Sequence, residues 1–342
     1  MLLVGGQGTR LRPLTLTTPK PLLPVAGVPF LTHQLAALRA AGIEHVVLAT
    51  SHRAEVFTQT FGDGSSLGLQ ITYLTEDEPL GTGGAIRHAA SGLRSAGDDA
   101  VVILNGDVLS GHHLAGQVAF HESHDADVTL HLVEVEDARA YGCVPCDDEG
   151  KVTAFLEKMD HPVTSWINAG AYVFRRSVID EIPQGQVVSV ERETFPELLA
   201  FGRDVWAWRE SAYWCDVGTP QALIQCSADI VQGVVTSAAM RRAPAEAWFA
   251  DEAVADGRAS SIVKGGSTIA SGVSLGDRAV VDGSIVMLSA VIGADAVVVD
   301  SVVGTSAKVG EGAQLTGVVL ADHADVAAGA VLTSGTRVSA GE

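Results

Sequence analysis

The C-terminal part of the chain, from about Ser261, repeats aliphatic residues every six positions. Examples are Val263, Ile269 and Leu275, followed by Val297, Val303 and Val309. Small residues and glycines lie between them, and no Phe, Trp, Tyr or Pro occurs after Ser261. This period is typical of a β-helix, in which each short strand forms one side of a coil. At roughly 18 residues per triangular coil, the sequence predicts about four coils.

The chain before this repeat alternates short apolar strands with amphipathic helices. The sequence predicts strands at 2–4, 45–50, 70–74 and 101–104, and helices at 31–41 and 84–96. This alternation indicates βαβ units, so we expect an α/β fold with a largely parallel sheet that binds ligands beyond the carboxyl ends of its strands. We therefore predict two domains, 1–232 and 261–342, joined by a linker at 233–260.

Charge is unevenly distributed along the chain. The 342 residues include 22 Lys and Arg against 41 Asp and Glu, a formal net charge of −19. Such a chain repels polyanions, which argues against extended nucleic-acid binding. The N-terminal segment 1–60 is basic instead, with Arg10, Arg12 and Lys20 close together. A small anion such as a nucleotide can therefore be bound there.

The sequence gives little support to a membrane anchor, a disulfide framework or a zinc site. No apolar run reaches the roughly 18 residues of a membrane helix, and no signal-peptide core is evident, so we expect a cytoplasmic protein. Cys143, Cys146, Cys215 and Cys226 do not indicate a disulfide framework, and Cys143 and Cys146 lack the further ligands of a zinc site. The single histidine of the repeat, His323, gives acyl transfer little support.

A glycine-rich run and two cations follow the first predicted strand. Gly5-Gly6-Gln7-Gly8-Thr9-Arg10 comes directly after residues 2–4, and Lys20 lies about ten residues further on. Backbone N–H groups of such a loop can approach phosphate oxygens, and a guanidinium adds two donors. The run lacks the third glycine of a dinucleotide fingerprint and the Gly-Lys-Ser/Thr of a Walker A loop. A plain glycine turn explains neither Arg10 nor Lys20, so we predict a phosphate-binding loop.

Two aspartates are candidate Mg²⁺ ligands. Asp107 follows the buried strand 101–104, and Asp216 lies in the run Trp214-Cys215-Asp216-Val217-Gly218. Mg²⁺ on a nucleotide usually takes one or two protein carboxylates, with phosphate and water as its other ligands. Either aspartate alone is an ordinary turn residue, but together they predict a metal site beside the phosphate loop.

A third group of side chains suits a sugar phosphate. Glu157, Lys158 and Asn168 supply a carboxylate, an ammonium and an amide over a short stretch. The alternative is a surface ion pair between Glu157 and Lys158, which would contribute little to stability.

Together these segments resemble the sugar-phosphate nucleotidyltransferases. The resemblance rests on 5–15, Lys20, Asp107, Glu157-Lys158, Asn168-Ala169-Gly170, 189–196 and 214–220. The run Pro79-Leu80-Gly81-Thr82-Gly83-Gly84 is similar to a loop of the mannose-1-phosphate guanylyltransferases, with Gly83 in place of an alanine. The resemblance implies a Rossmann-like nucleotidyltransferase domain with a mostly parallel mixed sheet, followed by a left-handed parallel β-helix of hexapeptide repeats.

The resemblance also implies a role for each candidate residue. Gly5, Gly6, Gly8 and Thr9 would cradle the triphosphate, Arg10 and Lys20 would neutralise the leaving pyrophosphate, and Gly81 and Thr82 would contact the base. Asp107 and Asp216 would hold Mg²⁺, which with Arg10 and Lys20 makes them the candidate catalytic residues. Gly142, Glu157 and Asn168 would bind the sugar hydroxyls, and Lys158 would bind the sugar phosphate.

The reaction that the resemblance implies is guanylyl transfer from GTP to mannose 1-phosphate, giving GDP-mannose and pyrophosphate. An ionised oxygen of the sugar phosphate would attack the α-phosphorus in line, so no general base is required. The alternatives are a relative that uses another nucleoside triphosphate or glucose 1-phosphate, and a non-catalytic regulatory homologue. The apolar flank and coil end of the β-helix lead us to expect a homo-oligomer.

Overall fold

The computed structural model describes residues 1–51, 54–240, 242–250 and 260–341. The chain packs as two compact units. The first unit consists of Met1–Gly6 and Leu35–Trp214, and the second consists of Gln7–Gln34 and Cys215–Glu342. The predicted domain boundaries at 232 and 261 stay a prediction. The predicted linker, 233–260, contains a strand at Ala247–Phe249, while its residues 241 and 251–259 lie outside the described part of the chain.

The helices of the described residues are short. The α-helices are α1 Phe30–Ala40, α2 Ala54–Phe61, α3 Gly81–Ala89, α4 Leu114–Ser123, α5 Arg176–Glu181, α6 Phe195–Ala200 and α7 Pro220–Gln232. Single 3₁₀ turns lie at Thr9–Leu11, Leu14–Leu16, Lys20–Leu22, Ser65–Leu67 and Ala90–Gly92, and a π-helical turn lies at Val190–Thr194. Over the described ranges, none of these helices has the length and apolar character that crossing a bilayer requires.

A mixed sheet forms the centre of the first unit. The strands of the chain as far as Asp216 are β1 Leu2–Leu3, β2 Pro24–Val25, β3 Val28–Pro29, β4 His45–Thr50, β5 Gln70–Thr75, β6 Ala100–Asn105, β7 Val108–Ser110, β8 Val128–Glu134, β9 Gly142–Cys143, β10 Leu156–Glu157, β11 Trp166–Arg175, β12 Val205–Arg209 and β13 Trp214–Asp216. Of these, β2 and β3 belong to the second unit, where they pair with each other. The sheet has the order β10-β9-β11-β6-β1-β4-β5, and β8 pairs with β11 and β12. This confirms the predicted Rossmann-like core with a mixed sheet.

The strand directions determine where the loops of the sheet lie. β1 is parallel to both β4 and β6, and β4 is parallel to β5, whereas β11 is antiparallel to β6 and β8. The carboxyl ends of β1, β4 and β6 therefore lie at one edge of the sheet, as expected for such folds. Buried apolar side chains such as Ile103, Leu130 and Phe174 form the core of this unit.

Helix α3 differs from its predicted bounds of 84–96, because it begins at Gly81 and ends at Ala89. The Gly83 N–H donates to the Val188 carbonyl over 2.8 Å, which holds the glycine-rich run as the first helical turn. After Ala89 the chain forms a 3₁₀ turn and then becomes extended at Leu93. Contacts with a distant segment thus set the start of this helix.

The second unit contains the predicted parallel β-helix. Its strands are β14 Ala247–Phe249, β15 Ile262–Lys264, β16 Ser267–Ile269, β17 Ser274–Leu275, β18 Val280–Asp282, β19 Ile285–Val286, β20 Val291–Ile292, β21 Val297–Val299, β22 Val302–Val303, β23 Lys308–Val309, β24 Gln314–Thr316, β25 Val319–Leu320, β26 Asp325–Val326, β27 Val331–Leu332 and β28 Arg337–Val338. They form three parallel sheets, β14-β16-β19-β22-β25-β28, β15-β18-β21-β24-β27 and β17-β20-β23-β26.

Most coils are one residue shorter than a strict six-residue period predicts. Thr268 pairs with Ile285, Ile285 with Val302, and Val302 with Val319, each in the next coil. The successive partners are 17 residues apart, as are the serines that link these coils. Because of this shortening, Val298 is fully buried inside the coil, and the predicted Val297 is only partly buried beside it.

A ladder of buried serines occupies one corner of the β-helix. The Ser267 hydroxyl accepts a hydrogen bond from the Ser284 N–H, Ser284 accepts from Ser301, and Ser301 accepts from Val318, each over 3.0 Å. Each hydroxyl thereby satisfies a buried N–H of the next coil, which would otherwise carry a desolvation cost.

We predict that Ser284→Ala lowers the free energy of unfolding by about 1–3 kcal/mol, because the buried Ser301 N–H loses its acceptor. Urea unfolding followed by circular dichroism measures the change. The matched control is Ser334→Ala, since Ser334 is exposed on the same β-helix. Equal stability of the two variants would contradict a stabilising role for the ladder.

The second unit also contains a disulfide between Cys215 and Cys226, which joins β13 to α7. The sequence does not predict this pairing, because it depends on how α7 folds back on the strand before it. Cys143 is a buried free thiol in β9, and Cys146 is a partly buried free thiol.

Two stacked histidines are buried in the first unit. His131, in β8, is fully buried, and its ring lies 4.2 Å from that of His112, centroid to centroid. Burial, with a smaller contribution from His112, lowers the pKa of His131 to about 3. His131 is therefore neutral in the folded protein at neutral pH.

Because the folded-state pKa of His131 lies below its ordinary value of 6.5, the unfolded chain takes up the proton first as the pH falls. The free energy of unfolding should therefore decrease as the pH is lowered from 6.5. We predict that His131→Leu removes about 1 kcal/mol of the loss between pH 6.5 and pH 5.5. Urea unfolding at the two pH values tests this, and an unchanged pH dependence in the variant would refute it.

Candidate active site

Asp107 lies where the sequence predicts it, directly after β6 at the carboxyl edge of the sheet. The Gly106 N–H donates to the Leu3 carbonyl over 2.9 Å, so the end of β6 is fastened to the end of β1. Gly5 and Gly6 follow β1 in the same unit. The backbone thus brings the start of the glycine loop and residue Asp107 to one edge.

The side chain of Asn168 is oriented by its own strand. The Asn168 Nδ2 donates to the Tyr172 hydroxyl over 2.8 Å, and the Gly170 N–H donates to Asn168 Oδ1 over 3.1 Å. The pairing of β11 with β8 is irregular between Asn168 and Tyr172. Tyr172 is fully buried, and burial raises the pKa of its hydroxyl, so it stays protonated. The sequence gives no signal for this role of Tyr172.

The strand pairing brings together three of the predicted sugar-binding residues. β9 lies between β10 and β11, with Gly142 opposite Glu157 and Cys143 opposite Ile167, the neighbour of Asn168. The next residue, Lys158, places its Nζ 3.7 Å from the Glu157 carboxylate. These residues therefore lie on neighbouring strands, and their role in binding a sugar phosphate stays a prediction.

The Gly81–Gly84 run has a structural role in addition to the predicted contact with a base. The Thr82 hydroxyl donates to Glu191 Oε2 over 2.7 Å and accepts from the Val190 N–H over 2.9 Å. A Cβ at Gly83 would lie 2.8 Å from a methyl group of Val188. The glycine at position 83 is therefore explained by packing against Val188.

In the second unit, Asp216 faces two cations. Arg10 Nη2 lies 3.9 Å from one carboxylate oxygen and Lys20 Nζ lies 3.8 Å from the other. The Lys20 side chain is only 11% exposed, whereas that of Arg10 is 66% exposed. Three of the four candidate catalytic residues thus form one cluster, with Arg10 as its accessible member.

Local backbone structure positions Arg10 in this cluster. Gly8 adopts a left-handed conformation, and its carbonyl accepts from the Leu11 N–H and the Thr15 hydroxyl, each over 2.9 Å. These bonds form the tight turn that carries Arg10. A Cβ at Gly218 would lie 2.5 Å from Arg10 Nη2, so the missing side chain leaves room for the guanidinium. The sequence shows Gly218 without indicating this role.

The predicted site residues are divided between the two units. The second unit holds Gly8, Thr9, Arg10, Lys20 and Asp216, and the first holds Gly5, Gly6, Gly81, Thr82, Asp107, Gly142, Glu157, Lys158 and Asn168. In the described ranges, no group of three or more His, Cys, Asp and Glu side chains is arranged to hold a metal ion by itself. The ligand pair Asp107 and Asp216 stays a prediction.

A comparison with known protein families identifies the family of this chain. Residues 1–233 match the nucleotidyl transferase family. The chain belongs to the nucleotidyl transferase family. The family match contains the whole glycine loop, Asp107 and Asp216.

Individual nucleotidyl transferases resemble the chain to different extents. It is 53% identical over 289 residues to a mannose-1-phosphate guanylyltransferase of Mycobacterium tuberculosis, covering 83% of this chain and 78% of that protein. It is 40% identical over 222 residues to the mannose-1-phosphate guanylyltransferase catalytic subunit beta of Drosophila pseudoobscura, covering 65% of this chain and 59% of that protein. The chain thus spans less than two thirds of the fly protein.

Two solved structures are similar in fold to about two thirds of this chain. The crystal structure of HddC from Yersinia pseudotuberculosis has a TM-score of 0.57 and 29% identity, and covers 66% of this chain and 96% of that one. The same protein complexed with GMP-PN has a TM-score of 0.56 and 28% identity over the same shares.

We predict that Gly218→Ala weakens the binding of nucleoside triphosphate severalfold, because the added methyl group displaces the Arg10 guanidinium. Titration calorimetry with GTP measures the affinity, and the melting temperature shows whether the variant is folded. Wild-type affinity in a folded variant would show that the space at Gly218 is not needed to position Arg10.

Proposed function

We propose that this nucleotidyl transferase moves a guanylyl group from GTP to mannose 1-phosphate, giving GDP-mannose and pyrophosphate. The observation that carries the proposal is the 53% identity, over 83% of the chain, to a protein named mannose-1-phosphate guanylyltransferase. The cluster of Arg10, Lys20 and Asp216 supports it independently, because two cations beside a glycine loop suit a triphosphate.

The proposed roles are those that the family resemblance implies for these residues. Gly5, Gly6, Gly8 and Thr9 surround the triphosphate, Gly81 and Thr82 contact the base, Gly142, Glu157 and Asn168 bind the sugar hydroxyls, and Lys158 binds the sugar phosphate. The buried Tyr172 orients the Asn168 amide, so Asn168 meets a hydroxyl group in one fixed orientation.

The chemistry requires alignment of two anions that repel each other. The attacking phosphate oxygen is already ionised, so no side chain has to remove a proton. Arg10 and Lys20 place positive charge where the pyrophosphate departs, and the Asp216 carboxylate attracts both side chains before the substrates arrive. Most of the catalysis is thus electrostatic stabilisation of charge that spreads over phosphate oxygens.

Mg²⁺ is the proposed cofactor. The Asp107 and Asp216 carboxylates are oxygen donors of the kind that Mg²⁺ prefers, and one or two of them suffice when phosphates supply further ligands. When bound, Mg²⁺ would neutralise phosphate oxygens, while Arg10 and Lys20 act on the leaving group.

Self-association through the β-helix and a cytoplasmic location are further proposals. Ile262, Val291 and Val331 are exposed apolar side chains on the β-helix.

Pyrophosphate release, measured over a matrix of nucleoside triphosphates and sugar 1-phosphates, tests the proposed function. We expect the highest kcat/KM for GTP with mannose 1-phosphate in the presence of Mg²⁺. Preference for another pair would establish a related nucleotidyltransferase instead. Release from no pair would favour a non-catalytic regulatory homologue.

We predict that Asp107→Ala lowers kcat on the order of 100-fold or more while the protein stays folded, because a carboxylate proposed to hold Mg²⁺ is lost. The same assay measures the effect, and the control is Asp148→Ala, since Asp148 is exposed in the first unit. An active, Mg²⁺-dependent Asp107→Ala variant would remove Asp107 from the metal site.

A further inference from the structure

The C-terminal coils of the β-helix contact the turn that carries Arg10. Arg337, in the last strand β28, donates from Nη2 to the Arg10 carbonyl over 2.8 Å and from Nη1 to the Arg12 carbonyl. One coil earlier, Asp322 Oδ2 accepts from the Thr17 hydroxyl over 2.7 Å. All of these residues belong to the second unit.

The Arg337 contact fixes the backbone on both sides of a tight turn. The carbonyls of Arg10 and Arg12 lie two residues apart, because Arg10 is the middle residue of the 3₁₀ turn Thr9–Leu11 and Arg12 is its C-cap. A planar guanidinium that donates to both carbonyls restrains the position and the direction of this segment. The direction of the backbone at Arg10 determines the direction in which its side chain extends toward Asp216.

The position of Arg337 in the β-helix is unusual for its ladder. The equivalent positions in the three preceding coils are Ile285, Val302 and Val319, all of which are buried. Arg337 ends this ladder, is exposed, and lies 18 residues after Val319 instead of 17. The last rung thus replaces an apolar packing residue with a long side chain that reaches the loop.

The positive charge of Arg337 introduces electrostatic repulsion with the segment that it contacts. Arg10, Arg12 and Lys20 already make this segment positive, and a further guanidinium adds like charge. A neutral residue would avoid that repulsion. Arg337 gains two charge-assisted hydrogen bonds, each stronger than a neutral one, to neutral acceptors.

We propose that Arg337 is a positioning residue for nucleotidyl transfer: the last coil of the β-helix holds the glycine loop so that the Arg10 guanidinium is presented to the triphosphate. This inference rests on the proposed function for its kinetic consequence. The Thr17–Asp322 hydrogen bond restrains the end of the same segment from the preceding coil.

Kinetics of Arg337→Ala test the consequence for catalysis. We expect kcat/KM for GTP to fall three- to tenfold, with KM for mannose 1-phosphate unchanged within twofold, because Arg10 acts on the pyrophosphate side. Arg337→Lys, which keeps one charged donor, should recover part of the loss. The matched control is Arg278→Ala, since Arg278 lies on the same β-helix and pairs with Asp295 instead of the loop.

A double-mutant cycle with Arg10→Ala separates positioning from a general loss of stability. If Arg337 acts through Arg10, then Arg337→Ala has no further effect on kcat/KM for GTP in the Arg10→Ala background. Additive losses, or a single variant indistinguishable from Arg278→Ala, would overturn the proposal.

Hydrogen exchange of the loop tests the contact without any assay of activity. We expect the amides of Leu11 and Arg12, which donate to Gly8 and Thr9, to exchange faster in Arg337→Ala than in Arg278→Ala. Unchanged exchange would overturn the positioning role even in an active enzyme. If wild-type protein releases pyrophosphate from no substrate pair, the proposed function fails, while faster exchange in Arg337→Ala would still support the restraint on the loop.

Discussion

The pairing of β1 on both of its sides is the constraint on which the first unit depends. Leu2 is fully buried and pairs with Leu48 of β4 and Leu104 of β6, both in parallel. Because these three strands run the same way, their carboxyl ends share one edge, where backbone geometry leaves room for loops. The glycine loop begins at that edge and Asp107 lies there. The pairing of the two residues of β1 therefore determines the position of both.

Sequence periodicity predicts the elements whose bounds depend on their own residues. The strand predicted at 45–50 is His45–Thr50, and the mixed sheet and the parallel β-helix are both present. Elements that depend on distant contacts were predicted less well. Helix α3 begins at Gly81 because it packs against Val188 and Val190, far away in the sequence, and no local pattern contains that information.

The residues of the candidate site also differ in how well the sequence predicts them. Its charged residues stand out in the sequence, because glycines and cations that directly follow a strand together suit the binding of a phosphate group. Residues that position them do not stand out: Gly218 is one of 37 glycines, Tyr172 is an ordinary strand residue, and Arg337 resembles a solvated surface charge. Their roles arise from contacts across long sequence separations, which a single sequence does not show.

Arg10 is restrained at two points, and the restraints are of different kinds. Arg337 fixes its backbone carbonyl, whereas Asp216 attracts its guanidinium from 3.9 Å, beyond hydrogen-bond distance. At that separation the Coulomb attraction is still about 1 kcal/mol in water and larger near protein. The N–H donors of Arg10 are therefore not committed to Asp216. Ordering a long side chain costs about 1.5–2 kcal/mol of conformational entropy. The two restraints lower this cost for Arg10 before a phosphate binds.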